Sequence, residues 1–188
     1  SNLKSLCYGA SAIPLPTLER VMARLPGIRF AQFYGQTESC GGLTVLREEH
    51  HVASGPHVGR LQSAGRAVFG VDVAILDEQG REVPRGTWGE ICGRSPGLFQ
   101  NYLGHPELTA EAKRGGWLHT GDIGYMDADG FVYVTDRLKD MIVTGGENVS
   151  SSEVETVILA HAMVQQVAVI GAPDAIWGER IHAFIVTP

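Results

Sequence analysis

A break in patterning near Lys139 constrains this chain more than any other feature of its sequence. From about Gly65 to Tyr133 the chain reads as short β runs with turn punctuation. After Asp136-Arg137-Leu138-Lys139-Asp140 the style becomes mixed α/β: Met141 to Val143 reads as a strand, Ser152 to His161 as a helix, and Val167 to Ile170 and Ile181 to Val186 as strands. Two domains are therefore expected, residues 1–138 and 139–188. About 49 residues follow Lys139, near the size at which an isolated core becomes marginal.

Within the first part, Leu3 to Tyr8 reads as a strand running into the turn Gly9-Ala10-Ser11. Leu15, Leu18, Val21, Met22 and Leu25 share one helical face, and Pro14 and Pro16 suit the entrance of that helix. Phe30 to Tyr34 is a short strand expected to stop at Gly35. Further on, Val71 to Leu76 and Gly89 to Gly93 read as strands, and Gly124 to Val134 as a hairpin around Asp127-Ala128-Asp129-Gly130. The 24 glycines and 9 prolines are spread through the chain, so there is neither a flexible linker nor a fixed-period repeat.

Composition narrows the partners. With 15 Lys+Arg against 21 Asp+Glu the formal net charge is −6, which disfavours nucleic acid or an anionic membrane surface, since both select clustered positive charge. The apolar fraction of 44% supports a real core. Cys7, Cys40 and Cys92 are odd in number and far apart, so neither a paired disulfide framework nor a Cys-x-x-Cys metal spacing is available, and a reducing compartment fits best. No stretch approaches the roughly 18 apolar residues of a spanning helix, and the amino terminus lacks a signal-peptide profile. The expected location is cytoplasmic, with peripheral attachment to a membrane left open. The chain opens Ser1-Asn2 without Met and closes on a strand at Thr187-Pro188, so the parent protein is expected to continue. Its oligomeric state is not legible.

Four clusters could carry chemistry. Tyr34-Gly35-Gln36-Thr37-Glu38 follows a strand: Thr37 can donate to a phosphate oxygen, Glu38 can hold a hard divalent cation, and Tyr34 can stack on a base. A strand-end turn with a solvated Glu is the plainer alternative. In Trp117-Leu118-His119-Thr120-Gly121-Asp122, a carboxylate after a tight turn can accept from a ribose diol, or merely tie its own turn. The alternating charges of Asp136 to Asp140 would ordinarily be a solvated linker. Thr144-Gly145-Gly146-Glu147-Asn148 could pass close to an extended ligand or simply turn; no Lys-Ser or Lys-Thr follows, so it is not a phosphate loop of the P-loop kind. Asp127-Ala128-Asp129-Gly130 has Leu138 at its twelfth position and reads as a hairpin turn, not a calcium loop. His50-His51 has no third ligand at useful spacing and reads as a surface loop.

Taken in order with Gly9-Ala10-Ser11, these clusters resemble the later half of the adenylate-forming superfamily, and within it acyl-CoA synthetases such as fatty-acid CoA ligases. The resemblance covers essentially the whole chain. It implies a mixed α/β fold: the end of the large AMP-binding domain, an αβ segment plus a distorted β-barrel or sheet, followed by a truncated α+β C-terminal domain. It also implies an ATP-dependent acid–thiol ligase that makes an acyl-adenylate and passes the acyl group to coenzyme A, with Mg2+ as cofactor and ATP, coenzyme A and a carboxylic acid, expected to be fatty, as substrates.

By matching motif, Gly9, Ala10 and Ser11 would line the adenine pocket, Tyr34 would stack on adenine with Gly35 beside it, Thr37 would bond the α-phosphate, and Glu38 would hold Mg2+. Asp122 would bind the ribose hydroxyls and Arg137 the ribose or phosphate. Lys139 would be the hinge, and Gly145, Gly146, Glu147 and Trp177 would border the pantetheine tunnel. Where the family usually has Pro ahead of the helix carrying Glu153, this chain has Ser150-Ser151, and serine can cap a helix itself. The family's early phosphate loop would precede Ser1 and its late lysine would follow Pro188, so these residues alone are expected not to adenylate. Alternatives are an aryl-acid CoA ligase, a non-catalytic AMP- or ATP-binding module, and a luciferase-like oxygenase.

Overall fold

The computed structural model describes residues 2–11 and 13–188. Ser1, at the opening boundary noted above, and Ala12 lie outside the described residues. The chain divides into two units: one runs to Thr120 and includes Gly124–Val134, and the other comprises Gly121–Ile123 and Thr135–Pro188.

In the first unit, β1 (Ser5–Gly9) and β2 (Arg29–Gln36) pair in parallel, joined by helix α1 (Leu15–Arg24). Parallel neighbours need a crossover, and the apolar stripe makes α1 a suitable one. Leu18 is buried and Leu15, Val21 and Met22 half-buried, while Arg20, Ala23 and Arg24 are exposed. Antiparallel β3 (Gly41–Leu46) and the short β4 (Arg66–Ala67) complete a sheet of order β1-β2-β3-β4. The chain does not leave the sheet at Gly35: β2 absorbs a bulge between Tyr34 and Gly35 and continues to Gln36.

A second sheet has the order β5 (Asp72–Leu76), β6 (Gly89–Arg94), β7 (Leu118–Met126), β8 (Val132–Arg137). It is open, with no closed barrel among the described residues. Strand alternation sends Ile75 and Ile91 to one face, clustered with Met126 and Val132, and Ala74, Leu76 and Cys92 to the other, covered by Trp117. Asp127 is spent on its own turn, accepting from Asp129 N at 2.9 Å and Phe131 N at 2.8 Å, which agrees with a hairpin and not a cation loop. The His pair is packed and not a free loop: His50 meets Phe131 edge-on, and His51 bonds the Tyr8 hydroxyl at 2.9 Å.

The second unit holds a sheet of order β10-β9-β12-β11, with β9 (Ile142–Thr144), β10 (Glu147–Val149), β11 (Gln166–Asp174) and β12 (Gly178–Val186). Helix α3 (Ser151–Leu159) packs on β11, and Val169 N donates to Glu155 Oε1 at 2.8 Å. No described helix is long and apolar enough to cross a membrane.

Candidate functional site

Thr37, Glu38 and Ser39 form a single 3-10 turn between β2 and β3. Ser39 is the buried residue of that turn: its hydroxyl accepts from Gln36 N at 3.0 Å and lies between Gln36 O, at 2.7 Å, and Gly41 O. The chain folds back so tightly that a Cβ on Gly35 would sit 2.9 Å from Ser39 Oγ and 3.0 Å from Leu43 N, nearer than real Cβ atoms tolerate. Gly35 is thus fixed by close approach of backbone to backbone. Thr37 is left exposed and Glu38 half-buried on adjacent positions, and Tyr34 packs against the Ile75, Ile91, Met126 and Val132 cluster.

Glu38 is gripped by a segment to which the sequence assigned no role. Phe99 N donates to Glu38 O at 2.8 Å, and the Tyr102 hydroxyl donates to Glu38 Oε1 at 2.6 Å. That bond is the main reason the Tyr102 phenol is pushed up to about 12, burial adding to it. Helix α2 (Pro106–Ala112), which the β-run reading of this region passed over, anchors the segment: Tyr102 N donates to Thr109 Oγ1 at 2.9 Å.

The turn after β1 has its own constraint. A Cβ on Gly9 would run into Phe33 O, and Ala10 adopts a φ of 68°, a left-handed conformation that an L-residue pays for. Cys40, closing the Thr37–Ser39 turn, has a φ of 50°. These are the two non-glycine residues with positive φ among those described, and such strain tends to collect at functional turns.

In the second unit, Asp122 and Arg137 are brought together, with Arg137 Nε 3.7 Å from Asp122 Oδ1. Lys139 is exposed in the 3-10 turn Leu138–Asp140. Gly145 and Gly146, at φ 60° and 86°, make the two-residue turn joining β9 to β10, a primed turn that only such residues adopt readily. Gly145 also meets Trp177: its N–H donates to Trp177 O at 2.8 Å, and a Cβ there would lie 2.9 Å from the indole ring.

The serines that replace the usual proline have a visible function. Ser150 caps α3, accepting from Glu153 N at 3.2 Å, and donates to Asp136 Oδ2 at 2.8 Å. Ser151 Oγ and Ser152 N donate to the same oxygen at 3.0 and 3.3 Å, and Arg137 N donates to Oδ1 at 2.8 Å. Burial works to raise the Asp136 pKa, but these donors, Ser150 first, outweigh it and hold it below the ordinary 3.8. A depressed folded-state pKa stabilises above the unfolded value and loses that stabilisation as pH falls through the folded one. Asp136→Asn should therefore lower the urea midpoint at pH 7, by the equivalent of about 1–2 kcal/mol, with the gap to the wild type closing below pH 3.8. A gap that widens on acidification would contradict the assignment.

A match to a family model bears on these arrangements: residues 1–103 fit the AMP-binding enzyme family, and residues 153–188 fit the AMP-binding enzyme C-terminal domain. The chain belongs to the AMP-binding enzyme family. Among curated relatives of this AMP-binding chain, a medium/long-chain-fatty-acid–CoA ligase, FadD8 of Mycobacterium tuberculosis, is 46% identical over 99% of the chain and 32% of its own length. A fatty acid–[acyl-carrier-protein] ligase, ScoC of Streptomyces coeruleorubidus, is 42% identical over 99% of the chain and 35% of its own length. Among solved structures, o-succinylbenzoate CoA synthetase (MenE) of Bacillus subtilis matches in two states. In complex with its acyl-adenylate it gives a TM-score of 0.86 at 35% identity, covering 98% of this chain and 36% of that one. With ATP and magnesium the TM-score is 0.83 at 34% identity, covering 98% of this chain and 36% of that one. The AMP-binding chain thus spans about a third of the length of the relatives it matches.

A second polar cluster of this AMP-binding chain lies on β6 and β7. His119 Nδ1 is 2.7 Å from Glu90 Oε2 and 3.4 Å from the buried Cys92 Sγ, and Arg114 Nη2 donates to Glu90 Oε2 at 2.8 Å. The three potential ligands lie within 4.8 Å of one another. Yet ligand atoms around a tetrahedral zinc, each about 2.0–2.3 Å from the metal, stand farther apart than the 2.7 Å hydrogen bond here, and Arg114 already neutralises the carboxylate. The side chains are joined to one another by hydrogen bonds, Glu90 bonding both Arg114 and His119. Burial pushes the Cys92 thiol up to about 12, Glu90 adding to it, so the reactive thiolate is withheld. Of the three cysteines, exposed Cys7 and Cys40 should react with an aromatic disulfide in the native state and Cys92 only after unfolding; modification of Cys92 at the native rate would contradict this packing.

Proposed function

We propose that the protein carrying this chain is an ATP-dependent acyl-CoA synthetase, activating a carboxylic acid, by preference a fatty acid, as the acyl-adenylate and transferring it to coenzyme A. The observation that carries the reading is the turn that presents Thr37 and Glu38 side by side at the end of β2, in a chain of the AMP-binding family. Both reactants of adenylation are anions, so the reaction needs cations and oriented donors around the phosphoryl oxygens.

The donor set fits magnesium. Mg2+ prefers hard oxygen, bound through one or two carboxylates and the substrate's phosphates. Glu38 offers a carboxylate whose Oε1 is held by Tyr102 and whose Oε2 has no partner among the described residues. When bound, the ion would supply charge neutralisation at the phosphates. Thr37 would donate to the α-phosphate, the Tyr34 ring would flank the adenine beside Gly9, Ala10 and Ser11, and Gly35 would keep the turn tight. Asp122, oriented by Arg137, would accept from the ribose hydroxyls. Residues 1–138 and 139–188 are assigned to the large and the lid domain, with Lys139 as the pivot. The Gly145-Gly146-Glu147 turn and the Trp177 packed on it would border the pantetheine arm. The three separate cysteines fit a cytoplasmic enzyme of fatty-acid metabolism.

The test is ATP–pyrophosphate exchange by the complete protein across acids of graded length, with acyl-CoA formation read separately. Exchange that depends on a fatty acid supports the reading. Preference for aromatic acids, as the name of the succinylbenzoate enzyme invites, would favour the aryl-acid alternative. Tight AMP binding without exchange for any acid would leave a nucleotide-binding module.

A further inference from the structure

A glutamate on a short surface turn has three side-chain torsions, and immobilising such a chain costs up to about 2 kcal/mol of rotamer entropy. In this chain the immobilisation is already made. The main chain of Glu38 is fixed by Phe99 N at 2.8 Å, and its carboxylate by the Tyr102 hydroxyl at 2.6 Å. Tyr102 is itself held by its main chain and by its ring, and the residue its ring meets is held in turn. The Tyr102 N–H donates to Thr109 Oγ1 at 2.9 Å, whose hydroxyl donates in turn to His105 O at 3.0 Å. Its ring lies against Phe99 with centroids 4.7 Å apart. Lys113 Nζ donates to Phe99 O at 3.0 Å and stands 5.5 Å from the centre of the Phe99 ring.

A phenol donating to a carboxylate is a charge-assisted hydrogen bond, and the 2.6 Å separation is typical of that class. It occupies one carboxylate oxygen and leaves the other without a partner among the described residues. We propose that Tyr102 is a positioning residue: it fixes the rotamer of Glu38 through Oε1, so that Oε2 is the oxygen offered to the cation of a magnesium–nucleotide complex. This rests on the assignment of Glu38 as the magnesium ligand. A phenol, with an ordinary pKa of about 10, remains a donor throughout the neutral range. The device joins two distant stretches of chain, 64 residues apart in sequence, which is why neither stretch signals it alone.

The experiment measures Mn2+ affinity, by electron paramagnetic resonance, for the complete protein saturated with ATP, comparing wild type, Tyr102→Phe, Thr109→Val and Glu38→Gln. Metal-free AMP affinity is read in parallel. Partners that orient a metal ligand are typically worth 10–100-fold in metal affinity. Tyr102→Phe, which keeps the ring and its contact with Phe99, should weaken Mn2+ binding about 10-fold with little change in AMP affinity. Thr109→Val, which loosens Tyr102 without touching its hydroxyl, should give a smaller loss in the same direction and stands as the test if Tyr102→Phe fails to fold. Wild-type Mn2+ affinity in both variants, with strong weakening in Glu38→Gln, would overturn the positioning role and leave the ligand assignment standing. Wild-type affinity in Glu38→Gln would remove the assignment itself, a result distinguishable from the first.

Discussion

Glu38→Gln in the complete protein is expected to lower acid-dependent pyrophosphate exchange by about 10²–10³-fold, the usual cost of removing one group that stabilises developing charge. The substitution is nearly isosteric. A glutamine Oε1 can still accept from the Tyr102 hydroxyl, and the Phe99 N–H still finds the residue 38 carbonyl, so the turn should keep its shape. What disappears is the negative charge. Thermal unfolding should therefore stay close to wild type while exchange collapses, a separation that general destabilisation would not produce. Exchange within a few-fold of wild type, at saturating Mg2+, would remove Glu38 from the chemistry.

The largest effect on stability is expected at Gly65. Its φ of 85° is unfavourable for any other residue, and a Cβ there would run into the backbone of Val45 and Leu46. The surrounding chain cannot back away. Gly65 N donates to Ser63 Oγ at 3.2 Å, Gly65 O accepts from Val132 N at 2.8 Å, and the buried Thr44 hydroxyl donates to Ala64 O at 2.6 Å. Gly65→Ala combines backbone strain with a clash against main chain, the kind of event that costs about 4 kcal/mol or more. In a domain of this size that corresponds to a fall in melting temperature of about 10 °C. Gly59→Ala is the matched control, since its added methyl would meet nothing within 4 Å. Equal melting temperatures for the two variants would show that the Gly65 contact is not rigid.

How far sequence carried each of these conclusions depends on where the physics was local. Helix α1 was legible because five apolar side chains repeat at helical spacing and proline marks its start. The β5–β6 and β7–β8 strands were legible from turn residues whose side chains close their own loops, as Asp127 does. Local too was the capping of α3 by Ser150. Strand β3 has no clear signal in the sequence because Gly41 and Gly42 open it and advertise a loop, and Gly35 reads as a terminator although its task is to let two backbones meet. Helix α2 is too short to show a period, although Pro106 stands in its first turn.

At the candidate site the residue types that could offer chemistry can be read directly, since hydroxyl and carboxylate stand adjacent in Thr37 and Glu38, just after Gly35-Gln36. The groups that aim them cannot. Tyr102 reaches Glu38 across a fold, and Asp136 reaches three serines beyond a hairpin; such pairings are set by tertiary packing, to which no periodicity or turn signal corresponds. The one available hint was negative: three consecutive serines, Ser150 to Ser152, at the head of a helix leave hydroxyls that need acceptors.

That knot of serines around Asp136 would have a kinetic meaning under the proposed function. Asp136 and Ser150 to Ser152 belong to one compact unit but flank Lys139 in sequence, so on the proposed pivot at Lys139 a swivel would have to unfasten the carboxylate from its donors first. The knot would then behave as a catch, favouring one pose and slowing departure from it, and loosening it by Ser150→Ala would shorten the dwell in that pose while leaving the chemistry at Glu38 untouched.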